Sequence, residues 1–516
     1  MDGLWCATAP NTIDRAVCQR LLDEGCVDAP LADTNELCRR MYLDLTGTSP
    51  SAADIAATCA GKSAREIATT LMDTEAYKRH SEELWAERLV YDATMVSGRW
   101  LVDADRIVDE LVTGRIGYDT FAKRISAHPV LAIGSRLPRS CLTKDEEVFF
   151  PQVARRATTL FLGRDPIGDE EAQLAQLFRP WKKEMVMKNS DFGQAEVVLD
   201  PAACPCVANV FGTPITIDLN LLTASIRYET LSDDRARKEL EKVGALFVAQ
   251  ETFWTQAADI ALSMYIGWWK STSALDRSLL PEVQIALANQ LRRSPDRSFK
   301  DLVLEVMTST LYLRSNRAPA EARTDLPPVC SGPFRMVRPE AYVRSLGAEL
   351  AVNVGRCDHR TNEKRGTRFT DGSEGTFYPH ALRGDVDSDE VLLGTKDFHW
   401  EAARAMGGCN AGGTRIEDPT LRNVFGAAPV AEKVCSVSPV IVPAGVAPDD
   451  RSRAAMERIA KHLSSLLLSR ELSPGELETI ENEAERACAA GPTCNARSLA
   501  TGMCAAMARS LDFMTY

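Results

Sequence analysis

What this chain of 516 residues lacks narrows its chemistry before any fold is considered. It has no C-x-x-C pair, which argues against zinc ribbons and thioredoxin-like redox motifs, and no C-x-x-C-H site for covalent haem. It has no G-x-S-x-G elbow, no H-E-x-x-H helix and no G-x-x-x-x-G-K-[ST] loop, so hydrolase, zincin and nucleotide readings lack their local evidence. It has no run of Lys and Arg fit to track a phosphate backbone, and with a net charge of −12 nucleic acid is excluded as a partner class. Long apolar runs are missing too. The best, Phe247 to Trp269, contains Glu251, Gln256 and Asp259, which suits a buried amphipathic helix and no membrane span. Histidine is scarce, at six residues.

Cysteine is not scarce. Fifteen residues spread from Cys6 to Cys504 predict scattered disulfides and a compartment outside the cytoplasm: periplasm, cell surface or secreted. The odd number leaves at least one unpaired within the chain. Cys204-Pro205-Cys206 predicts two separate bridges, since cysteines so close rarely join each other. Met1-Asp2-Gly3 carries no signal-peptide features, so an exported protein is expected to be seen here without its leader. With 45% apolar and 26% charged residues the chain should fold, and its length suits about three domains of ordinary size.

Local signals are strongest near the start. Asp33 is placed to cap a helix with Glu36 at its third position; Leu37, Met41 and Leu45 then share one face, and Gly47 ends the helix. After Pro50, Ser51 caps again, with Asp54 completing a capping box and Ile55 turned inward. Arg40 and Asp44, one helical turn apart, read as a structural pair. The grammar returns at Phe161–Pro166 with Glu170, and at Leu468–Pro474 with Glu476, where Pro474 takes the first helical position. Each copy is followed by a second phrase: Leu71-x-x-Thr74-x-x-Tyr77, Val306-x-x-Ser309-x-x-Tyr312 and Met507-x-x-Ser510-x-x-Phe513. The intervals between first and second phrase differ, so one helical module is used three times with different insertions, and no solenoid of fixed period is formed.

Arg39, Arg40, Tyr42, Leu43, Asp44, Leu45, Gly47, Pro50 and Ser51 together resemble the R-R-x-Y-L-D-L-x-G-x-P-P-T hallmark of the cytochrome-associated domain-of-unknown-function proteins of planctomycetes and related bacteria. The resemblance covers about residues 30–130, and the phrases around Phe161–Glu171 and Leu511–Tyr516 look like companion domains of the same secreted proteins. It implies an exported, largely helical protein working beside a c-type cytochrome. With no attachment site in this chain, the haem would belong to a separate partner, and the family supplies no catalytic residues to carry over.

The fold class predicted is mainly α: multi-helical modules with loop-rich, disulfide-stabilised insertions and little β. The domains predicted are 1–145, 146–325 with the Cys-Pro-Cys insertion, and 326–516 with a loop-rich insertion over 355–440. Strand-like runs are confined to Ala195–Leu199 and Ile215–Leu219. The aromatic residues Trp254, Tyr265 and Trp269 share a helical face and read as core.

Site candidates lie in the last insertion. Asp385, Asp387, Asp389 and Glu390 alternate in the manner of oxygen ligands for calcium, although an EF-hand loop would want glycine at Glu390 and glutamate at Lys396. His359, His380 and His399, with Cys357, Asp358 and Asp397 nearby, are the candidate transition-metal set, at spacings that match no familiar ligand ladder. Two functions follow. The first is an extracytoplasmic helical scaffold or interaction protein of a larger envelope or extracellular assembly, serving a separate cytochrome, with calcium as its cofactor candidate. The second is a metal-dependent enzyme with its site in 357–399.

Overall fold

The computed structural model describes residues 9, 11–16, 30–89, 98–128, 131, 146–178, 234–266, 276–315, 337–354, 406, 421–490 and 494–514, with five short strands between 185 and 228. The described body is helical. Its strands, β1 Met185–Lys188, β2 Glu196–Leu199, β3 Val207–Val210, β4 Thr213–Thr216 and β5 Ser225–Tyr228, form one antiparallel sheet in the order β4-β3-β2-β1-β5. The register places Val186 opposite Val198 and Ala208 opposite Ile215.

The first phrase folds as its caps dictate. The Asp33 carboxylate accepts the Glu36 N–H at 2.8 Å and starts the helix Thr34–Thr46, whose Met41 and Leu45 are fully buried. Gly47 closes it at φ +68°, its N–H bonded to the Leu43 carbonyl. Ser51 and Asp54 form the capping box, but the helix they open lasts one turn, Ala52–Asp54, before widening to a π-helical turn over Ile55–Cys59. That turn brings Cys59 to Cys38 in a disulfide and sets Ile55 at the edge of the core.

The other two copies repeat this geometry. Gly163 (φ +69°) ends the helix Glu146–Leu162, and Ser469, at φ +51°, follows the helix Arg453–Leu467. Glu170 accepts the Ile167 N–H at 3.0 Å, and Ser473 and Glu476 cap each other at 2.8 and 3.3 Å. Both copies add an ion pair that the first cannot make, Arg164 with Glu170 and Arg470 with Glu476, because Thr48 stands where those arginines are.

The second phrases are equally uniform. Thr74 donates to the Leu71 carbonyl and accepts from the Tyr77 N–H, at 2.6 and 3.2 Å. Ser309 does the same between Val306 and Tyr312 (2.8 and 3.3 Å), and Ser510 between Met507 and Phe513 (2.6 and 3.4 Å). In each copy one hydroxyl closes a helix and caps the next, which turns the aromatic residue inward. Tyr77, Tyr312 and Phe513 are all at most 1% exposed.

The apolar interior falls into two clusters. One runs from Ile13 to Tyr312 around an aromatic network of Trp85, Tyr118, Phe121, Phe253 and Phe299. The other joins residues of 337–514 and includes Leu43 from the first phrase. The stretch Phe247–Trp269 is not one helix: it breaks at Gln250 between the helices Asp234–Val248 and Glu251–Tyr265. The break lets Phe247 and Phe253 both reach the Phe161 ring, at 5.4 and 6.3 Å. Trp254 and Tyr265 are buried as expected, while Trp269 lies outside the described residues.

Every described cysteine is in a disulfide: Cys38–Cys59, Cys435–Cys504 and Cys488–Cys494. Cys204 and Cys206 lie outside the described residues. Among the described residues, no helix is long and apolar enough to cross a membrane.

Candidate functional site

The three module copies meet at the paired arginines of the first phrase. Arg40 is fully buried; Nη1 donates to the carbonyls of Tyr312 and Arg314, Nη2 donates to Glu36 at 2.7 Å, and the guanidinium lies 5.6 Å from the centre of the Tyr312 ring. Arg39 donates to the Phe513 carbonyl at 2.9 Å and lies 5.1 Å from that ring. Each arginine thus holds the carbonyl and the ring of the aromatic residue that ends another copy's second phrase. A guanidinium is suited to this because its planar fork can bond two acceptors while stacking on a ring.

Asp44 does not pair with Arg40. Its Oδ2 accepts the Tyr312 hydroxyl at 2.8 Å, and the carboxylate that Arg40 takes is one turn earlier, Glu36, which also accepts from Ser315. The local i,i+4 pairing read from the sequence therefore runs in the opposite direction along the helix. Counting back from the left-handed residue, Arg156 and His462 occupy the place of Arg40 in the other copies. They too bond distant carbonyls, of Leu131 at 3.0 Å and Val440 at 2.8 Å.

Beside the Arg39 tie, the turn after Gly47 lies on the helix Pro339–Glu349. The Ser49 N–H donates to Ser345 Oγ at 2.9 Å, and Arg344 reaches back to both oxygens of Glu83 at 2.8 and 3.0 Å. His80, 3% exposed, has Nδ1 3.3 Å from Glu83 and packs directly on Gly47. Burial, aided by the charges of Arg338 and Arg344, lowers the His80 imidazole below its ordinary value against the pull of Glu83. Burial alone would raise Glu83; the facing Arg344 charge and the bonds from His80 and Arg344 reverse that and hold it down to about 2. Glu349 goes the other way. Burial pushes it up to about 8, more than the nearby Arg39 charge and the Ser49 hydroxyl draw it down. Neither Glu349 oxygen nor Ser49 Oγ has a hydrogen-bond partner of ordinary length. At neutral pH the contact holds a neutral imidazole, an ionised carboxylate and a protonated carboxyl, a separation of proton affinities that marks a candidate site.

A second concavity, a groove of about 510 Å³, lies between the helices Pro474–Ala490 and Ala496–Ala508, lined by Ile480, Ala484, Leu499, Met503 and the Cys488–Cys494 bridge. Among the described residues no group of three His, Cys, Asp or Glu side chains could hold a metal ion. The calcium candidates Asp385, Asp387, Asp389 and Glu390 and the transition-metal candidates His359, His380 and His399 lie outside the described residues.

Residues 12–126 match the PSCyt2 family model, described as a protein of unknown function (DUF1549). No curated protein and no solved structure matches the chain. The PSCyt2 segment contains the first copy of the module with His80 and Glu83, and its Arg39 and Arg40 bond partners at 513 and 312, far outside the segment. Reading the sequence missed His80, Glu83, Arg344 and Glu349 as a group. The available signals were a histidine outside the last insertion and a glutamate three residues on, too common a pattern to single out.

Proposed function

We propose that this chain is an extracytoplasmic helical scaffold or interaction protein of a larger envelope or extracellular assembly, serving a separate c-type cytochrome. The observation that carries the reading is how the Arg39–Ser51 phrase, which lies within the PSCyt2-matching segment, is used. Arg39, Arg40 and Asp44 bind Phe513, Tyr312 and the carbonyls around them, so the phrase acts as a clamp between module copies. Side chains committed to interior bonds in this way build a platform and leave binding to the excursions between modules. The disulfides at every described cysteine favour an oxidising compartment, and the cytochrome partner rests on the family resemblance.

The test is purification of the protein from its native envelope with mild detergent and no reductant. A stoichiometric protein companion, with a haem Soret band in the same fraction, is the expected result. A monomer with no companion at native expression level would overturn the reading.

A further inference from the structure

The contact between the Gly47–Ser51 turn and the helix Pro339–Glu349 joins the PSCyt2-matching segment to the C-terminal core through polar ties that include Ser49 to Ser345 and Glu83 to Arg344. Within it, the Glu349 carboxyl is buried, with the Ser49 hydroxyl beside it as a donor in poor geometry and no well-formed hydrogen bond to either oxygen. We propose that this contact is a pH-responsive latch, closed while Glu349 carries its proton and opened by the loss of that proton.

The physical reason is the asymmetry of burial. A neutral carboxyl sits at modest cost where water is excluded; a carboxylate with no well-formed hydrogen bond does not. The cation facing it is Arg39 from the lead helix, whose Nη2 is engaged by the Phe513 carbonyl. The neighbouring charges are Arg338 and Arg344 on the helix of Glu349 itself and Glu83 on the helix Glu75–Arg88; Arg344 and Glu83 neutralise each other. His80 completes the titrating set.

The sign follows from the directions of the shifts. Glu349 lies above its ordinary value of 4.5 in the closed form, so its contribution is full at or below that value and is lost as pH rises to about 8. His80 lies below its ordinary 6.5, so it opposes closure only as pH falls beneath that value. The two act in opposite senses in mild acid, and Glu349 acts alone above neutrality. Opening is therefore sought between pH 6.5 and 8.

The readout is hydrogen exchange at the Ser49 amide in the purified full-length protein, divided by the intrinsic rate at each pH. Between pH 6.5 and 8 the ratio should rise by more than tenfold, since each unit of separated titration is worth a factor of ten. Glu349→Gln, which keeps the shape and cannot ionise, should give a flat profile, while His80→Gln should leave the alkaline rise intact. A flat wild-type profile, or a rise that survives Glu349→Gln, overturns the latch. A second measurement does not depend on how the variant folds. Difference infrared spectroscopy of the wild type should show a protonated carboxyl band lost with a midpoint near 8, and its absence at pH 7 also overturns the proposal.

Discussion

At the scale of single residues, the first phrase shows how much of a buried charge depends on what surrounds it. Arg40 brings a guanidinium to a fully buried position and is matched there by one carboxylate, two carbonyls and a ring. Arg40→Met removes the cation that faces the buried Glu36 carboxylate, which the Ser315 hydroxyl also meets, so a loss of about 3–5 kcal/mol is expected. Urea unfolding followed by circular dichroism measures it, and a loss under about 1 kcal/mol would mean the clamp is not structural. This partnership was only half legible in the sequence. A structural role for Arg40 follows from its place in a helical phrase, but Tyr312 lies 272 residues away, and at such separation no periodicity points from one residue to the other. The sequence pairs Arg40 with Asp44; in the fold the Tyr312 hydroxyl takes Asp44, and Arg40 turns to Glu36 one turn earlier.

At the scale of elements, the caps were legible because they are local. Asp33 with Glu36, Ser51 with Asp54, and Ser473 with Glu476 each need three residues, and all three form as spaced. The one-turn length of the element after Ser51 was not legible: the chain widens there into the π turn whose last residue, Cys59, is bonded to Cys38. Gly47 shows both layers at once. Its left-handed φ of +68° could be read from the C-cap pattern, but a Cβ there would also stand 2.6 Å from His80 Nδ1 and 2.9 Å from Arg344, which only the junction explains. Gly168 has a similar φ of +57° with nothing within 4 Å. Gly168→Ala should thus cost about 1 kcal/mol, the conformational term alone. Gly47→Ala should cost more, roughly 2–4 kcal/mol, and weaken the junction ties of His80 and Arg344. Thermal unfolding of the two variants side by side tests this, and equal losses would show that the imidazole moves aside freely.

At the scale of the whole molecule, the question is what keeps the C-terminal core whole when the Pro339–Glu349 helix and the last module lie on either side of a long insertion. Cys435 and Cys504, both fully buried, link the helices Leu421–Val437 and Ala496–Ala508 and close a loop of 69 residues, against 21 for Cys38–Cys59. In the chain-entropy account a loop of the longer size is worth about 4 kcal/mol and the shorter about 3 kcal/mol, because a cross-link restricts the unfolded chain more when it spans more of it. The Cys435→Ala/Cys504→Ala double variant should therefore lower the unfolding free energy of the C-terminal core more than Cys38→Ala/Cys59→Ala lowers that of the N-terminal one. The two cores are not coupled through one interior, since Leu43 is the contribution of the first phrase to the second cluster, so each loss should fall mainly on its own side. Pulsed hydrogen exchange with mass spectrometry resolves the sides separately. If removal of the Cys435–Cys504 bridge loosened residues 98–128 as much as 453–508, the two cores would have to unfold as one unit, and the junction at Gly47 would be a rigid weld with no freedom to open.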